Sequence, residues 1–515
     1  MFKYGIDHLT VSKAIAIVRG KEKAILTDEA ALKIQKSHDI VLTVAQKEKA
    51  VYGVNTGFGP LCDTIISKEN TSKLQKNILL SHSVGVGNPI DEELAKLMLV
   101  LKVHSLAKGF SGISLAVMHR ILWHIENDII PVVPEQGSVG ASGDLCPLSH
   151  VFLPLLGEGK VFYNKEIVST QIVFEKLNIQ PLELHPKAGL ALINGTQFIL
   201  AHAVMVVDKL YSCLAHADLI GAMMVEGLMG SQMPFHNALH ATRPYKGNIH
   251  VAKRISQFLK DSEVGDSHKN CDKVQDPYSL RCMPQVHGSS RNAWLHLKEV
   301  VEVELNAVTD NPIIISEDLI ISGGSFHGQP LALPLDYACL AAAELGSISD
   351  RRTYLSLEGK YEGTPRLLFQ ETGINSGFMI LQYTTAALVS ENKGMCFPAS
   401  ADSIPTSLGQ EDHVSMGSIG GRKALKVISN LENILAIELL CASQAFDFRK
   451  PLKSSKTINA AHDLVRQHIS HATEDRIFST DIEKAARIIK NRTLLTITNE
   501  FIDSYSEFDN LFESY

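Results

Sequence analysis

The amino-acid sequence predicts a mainly α-helical protein, in which a long central helical bundle follows a smaller N-terminal portion. Apolar residues recur with the 3.6-residue period of a helix through most of the chain after residue 195. Loops rich in Gly, Pro, Asn or Asp separate these stretches, and segments with strand character are few and short. We therefore expect two domains, at residues 1–200 and 201–515, of which the second forms the bundle.

Individual elements follow from the same periodicity. The bundle helices are predicted at Phe198–Leu228, Ser290–Val308, Pro334–Leu357, Asn375–Asn392 and Lys423–Phe448. In the N-terminal portion, the acidic start and apolar spacing of Asp91–Lys108 predict a helix. Strands are expected only at short segments such as Lys160–Tyr163 and Ile313–Ile315. The acidic, aromatic-containing segment Asn499–Tyr515 is expected to be a solvated end or a docked tail without chemistry.

Composition predicts a soluble, cytoplasmic protein and gives no reason to expect nucleic acid or an anionic membrane as a partner. Of the 515 residues 45% are hydrophobic and 20% charged, and the formal charge of -7 gives no basic surface for nucleic acid or anionic lipid. The N-terminus lacks a continuous apolar signal core. The apolar region Phe198–Gly230 is interrupted by charged residues such as Asp208 and Asp218, which favours a buried core helix over a membrane span.

The cysteines indicate a reducing compartment. None of the eight lies in a C-x-x-C pair, so neither a zinc ribbon nor a thioredoxin-like motif is predicted. Scattered cysteines in a chain of this length are typical of buried thiols. They are Cys62, Cys146, Cys213, Cys271, Cys282, Cys339, Cys396 and Cys441.

The glycine-rich segment 137–150, GSVGASGDLCPLSH, is the most informative part of the sequence. A turn before a helix, capped by Ser142 or Asp144, would be the general interpretation. A phosphate loop is disfavoured because no Walker lysine follows. The run Ala-Ser-Gly-Asp-Leu resembles the cofactor-forming loop of the aromatic amino acid ammonia-lyases and aminomutases. This resemblance implies that Ala141, Ser142 and Gly143 cyclise to 4-methylidene-imidazol-5-one (MIO), with no metal and no external cofactor.

The residue types suit that chemistry. The amide nitrogen of Gly143 must attack the carbonyl carbon of Ala141, and a Cβ at position 143 would obstruct the required bend. Ser142 must supply a hydroxyl that leaves as water. In the family, the resulting electrophile accepts the substrate amine and makes ammonia a better leaving group.

Further motifs extend the resemblance from about residue 50 to residue 430. In the family, the tyrosine of VYGVNTGFGP, Tyr52, is the general base for the β-proton, and the asparagine of LINGTQ, Asn194, hydrogen-bonds the electrophile or the amine. In VQDPYSLRC the resemblance assigns Arg281 to the substrate carboxylate. Gln275 and Tyr278 resemble the family's residues that line the electrophile and shuttle protons, and Phe326 resembles the aromatic residue that flanks it. Ser325 in SGGSFHGQP is a departure, since many relatives have asparagine there.

Two segments bear on the substrate. The pair Ser81-His82 matches the branch of the family that acts on histidine, where other branches have Phe-Leu or His-Leu, and His82 can hydrogen-bond an imidazole. Glu411 stands where the phenylalanine and tyrosine branches usually have glutamine, and a carboxylate can pair with imidazole. Met379 resembles a further contact to the ring. We therefore expect L-histidine as substrate and trans-urocanate as product, with tyrosine or phenylalanine lyase and aminomutase activities as alternatives.

Three other classes were weighed against this hypothesis. The segment His82-Ser83-Val84-Gly85 is similar to the end of a serine hydrolase elbow, but it lacks the first glycine and the alternating strands and helices. His236 and His240 could share a helix face, yet no other metal-ligand pattern accompanies them, so no metal site is predicted. A non-catalytic scaffold would leave the family's motifs without use.

The resemblance also implies an ammonia-lyase/fumarase-like fold and a homotetramer with D₂ symmetry. In the family, residues of several subunits complete each active site. The resemblance therefore implies a tetramer with four shared active sites.

Overall fold

The computed structural model describes residues 1–47, 50–61, 66–269 and 273–515, and it is mainly helical as predicted. In chain order the helices are α1 (Val11–Val18), α2 (Asp28–Ala45), α3 (Lys68–His82), α4 (Glu92–Leu106), α5 (Leu115–Glu126), α6 (Leu145–Phe152), α7 (Thr170–Leu177), α8 (Ala188–Ile193), α9 (Gln197–Gly227), α10 (Asn237–Ala241), α11 (Lys246–Phe258), α12 (Glu263–Ser267), α13 (Tyr278–Arg281), α14 (Met283–Leu305), α15 (Gln329–Leu357), α16 (Met379–Met395), α17 (Gly417–Asp447), α18 (Lys456–His468), α19 (Phe478–Lys490), α20 (Thr493–Thr498) and α21 (Asp509–Phe512). The predicted fold class is confirmed.

The strands of the described residues are short and form small sheets. They are β1 (Phe2–Lys3), β2 (Ala24–Ile25), β3 (Val86–Pro89), β4 (Ile130–Pro131), β5 (Pro134–Gln136), β6 (Lys160–Tyr163), β7 (Glu166–Ser169), β8 (Ile313–Ile314) and β9 (Ile320–Ile321). β4, β6 and β7 form an antiparallel sheet, with Lys160 opposite Ser169. β1 pairs with β2 in parallel, and β3–β5 and β8–β9 pair antiparallel. The strand predictions at Lys160–Tyr163 and Ile313–Ile315 match β6 and β8.

All five long helices of the predicted bundle are present as α9, α14, α15, α16 and α17, but several begin at other residues. The start of α15 was predicted at Pro334, whereas the helix begins at Gln329 and carries Pro334 inside, where it removes one backbone hydrogen bond. The start of α16 was predicted at Asn375, whereas it begins at Met379. Gly377 has a φ of +56°, which ends any helical path from Asn375.

Two helices, α9 and α15, are long and apolar enough to cross a membrane by length and composition. In their most apolar windows, 89% and 67% of the residues are buried inside the protein. Core helices of water-soluble proteins have the same composition, so burial of α9 agrees with the core helix predicted around Phe198–Gly230.

The chain divides into two compact units, each discontinuous in sequence. The first consists of Met1–Met205, Lys298–Leu335 and Pro398–Arg422, and the second of Val206–Leu297, Asp336–Phe397 and Lys423–Tyr515. The first unit thus contains the predicted N-terminal portion together with two later segments. The domain boundary at 200/201 stays a prediction.

In the first unit, three helices pack together and their ends carry predicted site residues. Helix α3 contacts α6 and α8, and α6 contacts α8. His82 is the last residue of α3, the glycine-rich loop precedes α6, and Asn194 caps the C-terminus of α8. Pairing of β3 with β5 fixes the chain just before that loop. Local packing therefore anchors residues that are far apart in sequence.

In the second unit, long helices enclose a buried set of charged groups. Asp218 on α9 accepts hydrogen bonds from Arg254 Nε on α11 at 2.9 Å and from Arg291 on α14 at 2.5 Å. The C-terminal segment is docked, because Glu513 accepts a bond from Arg254 at 2.7 Å and Phe512 is fully buried. Of the two alternatives for Asn499–Tyr515, the docked tail is correct.

Cysteines and the paired histidines take structural positions. Cys146, Cys213, Cys339 and Cys441 are buried thiols as predicted, Cys282 and Cys396 are half-buried, and Cys62 and Cys271 lie outside the described residues. His236 caps α10 by accepting from the Ala238 N–H at 3.2 Å. His240 is buried against the Pro234 carbonyl at 2.9 Å. Both histidines thus form hydrogen bonds with nearby backbone groups.

Candidate active site

A cavity of about 950 Å³ lies within the first unit, and predicted site residues from six separate segments line it. Its volume suits a small amino acid with surrounding solvent. The predicted residues in its lining are Tyr52, Ser81, His82, Ala141, Ser142, Asn194, Phe326 and Glu411. Gly143 is buried directly behind Ser142. The fold therefore gathers in one place residues that the sequence distributes over about 360 positions.

The loop before α6 makes a tight bend at Gly143. Gly143 has a φ of +73°, and a Cβ at this position would lie 2.1 Å from the carbonyl oxygen of Gly195. Only glycine fits such an approach. Ala141 is buried against Val414 and Met416, which leaves no room for a larger side chain without repacking.

The Ser142 hydroxyl and carbonyl both have specific partners. Its Oγ donates to Glu411 Oε1 at 2.6 Å. Its carbonyl oxygen accepts from Asn194 Nδ2 at 3.3 Å and from the Gly195 N–H at 3.5 Å. Asn194 Oδ1 is buried and has no hydrogen-bond partner within the described part of the chain. An unsatisfied buried acceptor is costly, so this oxygen is suited to accept a hydrogen bond from a ligand.

Asp144 fixes the loop from behind. The residue is fully buried, and its carboxylate accepts from the N–H groups of Phe198 and Ile199 at 3.0 and 2.9 Å and from the Ser138 hydroxyl at 2.8 Å. Burial raises the pKa of this carboxyl to about 7, although the three donors oppose the shift. Asp144 was considered only as a cap for the following helix, and instead it caps the distant first turn of α9.

A buried lysine supports the same region. Lys102 Nζ donates to the Asn194 carbonyl at 2.5 Å, and burial lowers the pKa of Lys102 to about 7. Nearby, Lys187 pairs with Asp310 at 2.6 Å, with both side chains buried. Sequence reasoning missed Lys102, although its position in the apolar helix predicted at Asp91–Lys108 is unusual enough to indicate a buried charge with a partner.

His82 and Glu411 influence each other electrostatically. Burial lowers the pKa of His82 below its usual value, while a hydrogen bond with the Ile78 carbonyl and the charge of Glu411 raise it in part. The Ser81 hydroxyl lies 3.0 Å from His82 Nδ1. A neutral imidazole keeps one donor and one acceptor nitrogen, so His82 can exchange a hydrogen bond with a polar heterocycle.

Comparison with known proteins agrees with this arrangement. The family model for aromatic amino acid lyases matches residues 9–467. The chain belongs to the aromatic amino acid lyase family. It is 44% identical over 486 residues to a histidine ammonia-lyase of Yersinia enterocolitica, with 94% of this chain and 96% of that protein covered. As a member of this family, it is a carbon–nitrogen lyase.

Solved structures of the family share the fold over nearly the whole chain. The histidine ammonia-lyase of Trypanosoma cruzi superimposes with a TM-score of 0.91 at 38% identity, covering 99% of this chain and 97% of that one. The tyrosine aminomutase of Streptomyces globisporus gives a TM-score of 0.92 at 32% identity, covering 98% and 99%. The lyase and aminomutase branches therefore have one architecture, and substrate choice must depend on side chains.

The remaining predicted site residues belong to the second unit. There, Arg281 donates to Gln275 Oε1 at 2.9 Å, and its guanidinium carbon lies 4.7 Å from the centre of the Tyr278 ring. Gln275 and Tyr278 are exposed, and Met379 at the start of α16 is 37% exposed. Arg281 Nε is buried without a hydrogen-bond partner among the described residues. Three of the four residues thus form one polar cluster with an accessible surface.

Sequence reasoning also missed two cavity residues beside its own motifs. The rings of His327 and His413 stack with centroids 5.3 Å apart, and His413 Nδ1 lies 3.2 Å from His327 Nε2. His327 follows the predicted site residue Phe326, and His413 lies two residues after the predicted site residue Glu411. A histidine adjacent to a predicted site residue was the available signal.

Proposed function

We propose that this lyase eliminates ammonia from L-histidine to give trans-urocanate in the cytoplasm. The observation that carries the proposal is that His82 and Glu411, both polar, line the same cavity as the Ser142 loop. A phenyl ring offers these groups no hydrogen bond, and a phenol offers one hydroxyl, whereas an imidazole offers both a donor and an acceptor nitrogen. Polar groups of a site discriminate strongly against a substrate that cannot pair with them. The names of the relatives at 42–44% identity support the same substrate.

The Ser142 loop is suited to hold MIO. Gly143 has the tight bend, Ala141 is small, and the Ser142 carbonyl has Asn194 Nδ2 and the Gly195 N–H within 3.5 Å. When present, MIO supplies an electrophile that makes ammonia a better leaving group. Donors at the carbonyl would withdraw electron density from the loop.

Residues of the chain itself would remove the β-proton, orient the imidazole and hold the amine. Tyr52 removes the β-proton; its hydroxyl oxygen accepts from the Gly59 N–H at 3.4 Å, which favours the phenolate that a base requires. His82, Glu411 and Met379 orient the imidazole. Asn194 holds the amine through its unsatisfied Oδ1. Phe326 lines the cavity beside the loop and limits the entry of solvent.

Recognition of the substrate carboxylate is assigned to Arg281, with Gln275 and Tyr278 beside it. By the family resemblance, the protein forms a homotetramer of D₂ symmetry in which these residues enter the cavity of another subunit. Gln275 and Tyr278 are exposed and Arg281 is half-buried, so their surface is accessible to such a partner. Arg281 and Gln275 are already hydrogen-bonded, so the guanidinium is oriented before substrate arrives.

The test measures purified enzyme with L-histidine, L-tyrosine and L-phenylalanine in parallel, following urocanate or the corresponding cinnamates by ultraviolet absorbance. We expect turnover of histidine, none in Ser142→Ala, and a fall in kcat/KM of about 10- to 100-fold in His82→Leu, the loss of one polar contact. Turnover of tyrosine or phenylalanine instead, or β-amino acid products, would overturn the assigned substrate or reaction in favour of the other branches.

A further inference from the structure

The carboxylate of Glu411 contacts the one side-chain atom that must leave when the Ser142 loop matures. Ser142 Oγ donates to Glu411 Oε1 at 2.6 Å in the unmodified chain. The other oxygen, Oε2, accepts from the hydroxyls of Thr406 and Ser407 at 2.9 and 3.0 Å. Its hydrogen bonds are thus made to three hydroxyl groups, one of which belongs to a reacting residue.

The backbone around Glu411 is built to hold this position. Thr406 and Glu411 form an antiparallel bridge, with the Thr406 N–H donating to the Glu411 carbonyl at 2.9 Å. Between them Ser407 and Leu408 have φ values of +50° and +56°. Left-handed backbone at two successive non-glycine residues is costly and persists where the surroundings impose it. The turn places both hydroxyls on Oε2 and leaves Oε1 for Ser142.

Asp144, the carboxylate next in sequence to the reacting residues, is occupied elsewhere. Its oxygens accept from Ser138, Phe198 and Ile199. It braces the backbone, whereas among the described residues Glu411 is the acid bonded to Ser142 Oγ. The two carboxylates therefore have separate tasks in the same loop.

We propose that Glu411 is the general acid that dehydrates Ser142 during self-processing of the loop; this role rests on the proposed MIO chemistry. The Cα–H and Cβ–Oγ bonds of Ser142 break, and the Cα–H electron pair becomes the Cα=Cβ bond. The step uses the protonated form of Glu411, in which Oε1 carries the hydrogen and donates to Oγ instead of accepting from it. Oγ keeps its own hydrogen, takes the Oε1 proton across the 2.6 Å contact and leaves as water. The Cα proton passes to solvent, from which Glu411 is reprotonated, so the net change is one water lost.

The second water comes from the attack of the Gly143 nitrogen on the Ala141 carbonyl, in which Glu411 has no part. Thr406 and Ser407 act as positioning residues that hold Oε2. General acids contribute about 10²- to 10⁴-fold to rate, so loss of Glu411 slows processing without forbidding it. If the slowed reaction still goes to completion, an end-point assay cannot detect the lower rate. The experiment must therefore measure the rate of water loss.

The experiment measures the mass of the peptide containing Ala141–Gly143 after cell-free synthesis of the full chain, quenched at successive times. Wild type and Glu411→Gln are compared with Asp412→Asn, which makes the same chemical change at the adjacent cavity residue. We expect wild type and Asp412→Asn to lose two waters at similar rates. Glu411→Gln should lose water at least 100-fold more slowly than wild type, and Thr406→Val about 10-fold more slowly. Thr406→Ser keeps the hydroxyl and should lose water at the wild-type rate.

A folding defect is separated from a chemical one by rescue. In Glu411→Ala, added formate should restore dehydration in proportion to its concentration, which it would not do for a chain that fails to fold. Equal processing rates in Glu411→Gln and wild type, or no rescue by formate, would overturn the role of Glu411. If wild type itself loses no water, the MIO hypothesis fails instead, so the two failures are distinguishable.

Discussion

Asp144 in the first unit and Asp218 in the second are both fully buried, yet opposite kinds of group surround them. Asp144 is held by two N–H groups and a hydroxyl, and burial raises its pKa to about 7. Asp218 is held by Arg254, Arg291 and His287; burial would raise its pKa, but these partners bring it well below its usual range. The same side chain is thus kept near neutrality in one place and firmly ionised in the other.

The difference follows from what each region supports. Neutral donors around Asp144 fix the loop without placing a cation beside Ser142, whose carbonyl and hydroxyl must react. In the second unit, Asp218 is not one of the predicted site residues, and full ion pairs join the long helices around it. Arg352 and Glu438, both fully buried and paired at 2.5 Å, repeat the pattern there. Cations pair with the buried carboxylates of the bundle, whereas the hydrogen-bond partners of Asp144 in the loop are neutral. The buried cations near the loop bind elsewhere, Lys187 to Asp310 and Lys102 to the Asn194 carbonyl.

The largest effect is expected from Asp218→Asn. Removing this charge leaves two buried guanidinium groups with less compensation, which typically costs about 3–5 kcal/mol. We expect this loss in the free energy of opening measured by amide hydrogen exchange in α11 and α14. Asp463→Asn, whose side chain is 75% exposed, is the control and should change little. A loss below about 1 kcal/mol would show that Glu513 compensates the arginines without Asp218.

A smaller effect is expected from Asp144→Asn. Both N–H groups donate to Oδ2, and the Ser138 hydroxyl donates to Oδ1. An amide oxygen in the place of Oδ2 keeps both N–H groups, but the NH₂ group then faces the Ser138 hydroxyl, which must accept instead of donating. We expect this change to cost about 1 kcal/mol. The melting temperature should fall less than in Asp218→Asn. Asp39→Asn is the matched control, because Asp39 lies on the exposed face of α2.

The pH dependence of this variant gives the sharper test. The folded pKa of Asp144, about 7, lies above its unfolded value near 4, so its contribution is fully present below pH 4 and declines as pH rises through 7. The stability gap between wild type and Asp144→Asn should narrow between pH 5 and 8. If the stability gap between wild type and Asp144→Asn widens as pH rises, Asp144 cannot be neutral in the folded protein at low pH.

Glu513 in the second unit has the opposite pH dependence. Burial would raise its pKa, but its partners, Arg254 above all, lower it to about 2 in the folded protein. Its contribution is lost only as pH falls from 4 towards 2.

These two environments also show what the sequence could predict. Helical periodicity is local, so the bundle helices and α4 could be placed, and motif resemblance located the residues that line the cavity. The two N–H partners of Asp144 are 54 and 55 residues away in sequence, and nothing local indicates that Asp144 caps α9. Asp218 was noticed only as an interruption of an apolar stretch; its arginines lie on other helices, and their convergence depends on tertiary packing.

Turn geometry was equally hidden. The bracing of Glu411 by Thr406 and Ser407 depends on positive φ values that Ser-Leu does not suggest, since such conformations favour Gly or Asn. The start of α15 before Pro334 likewise reflects packing that outweighs a local stop signal. Errors in the sequence-based predictions therefore concentrate where tertiary contacts impose an unfavourable local conformation.

The smallest effect is expected at the docked C-terminus. Tyr515 donates to Asp208 Oδ1 at 2.8 Å and accepts from Arg492 at 2.7 Å, while Arg492 also pairs directly with Asp208 at 2.7 Å. Tyr515→Phe removes the hydroxyl but leaves that ion pair, so we expect a loss of about 1 kcal/mol, seen as faster hydrogen exchange in α20 and α21. Tyr383→Phe, at a residue 61% exposed, should change neither. A loss of 3 kcal/mol or more would mean that the hydroxyl orders the whole charge cluster, and the contrast between an ion-paired bundle and a hydrogen-bonded loop would then be too simple.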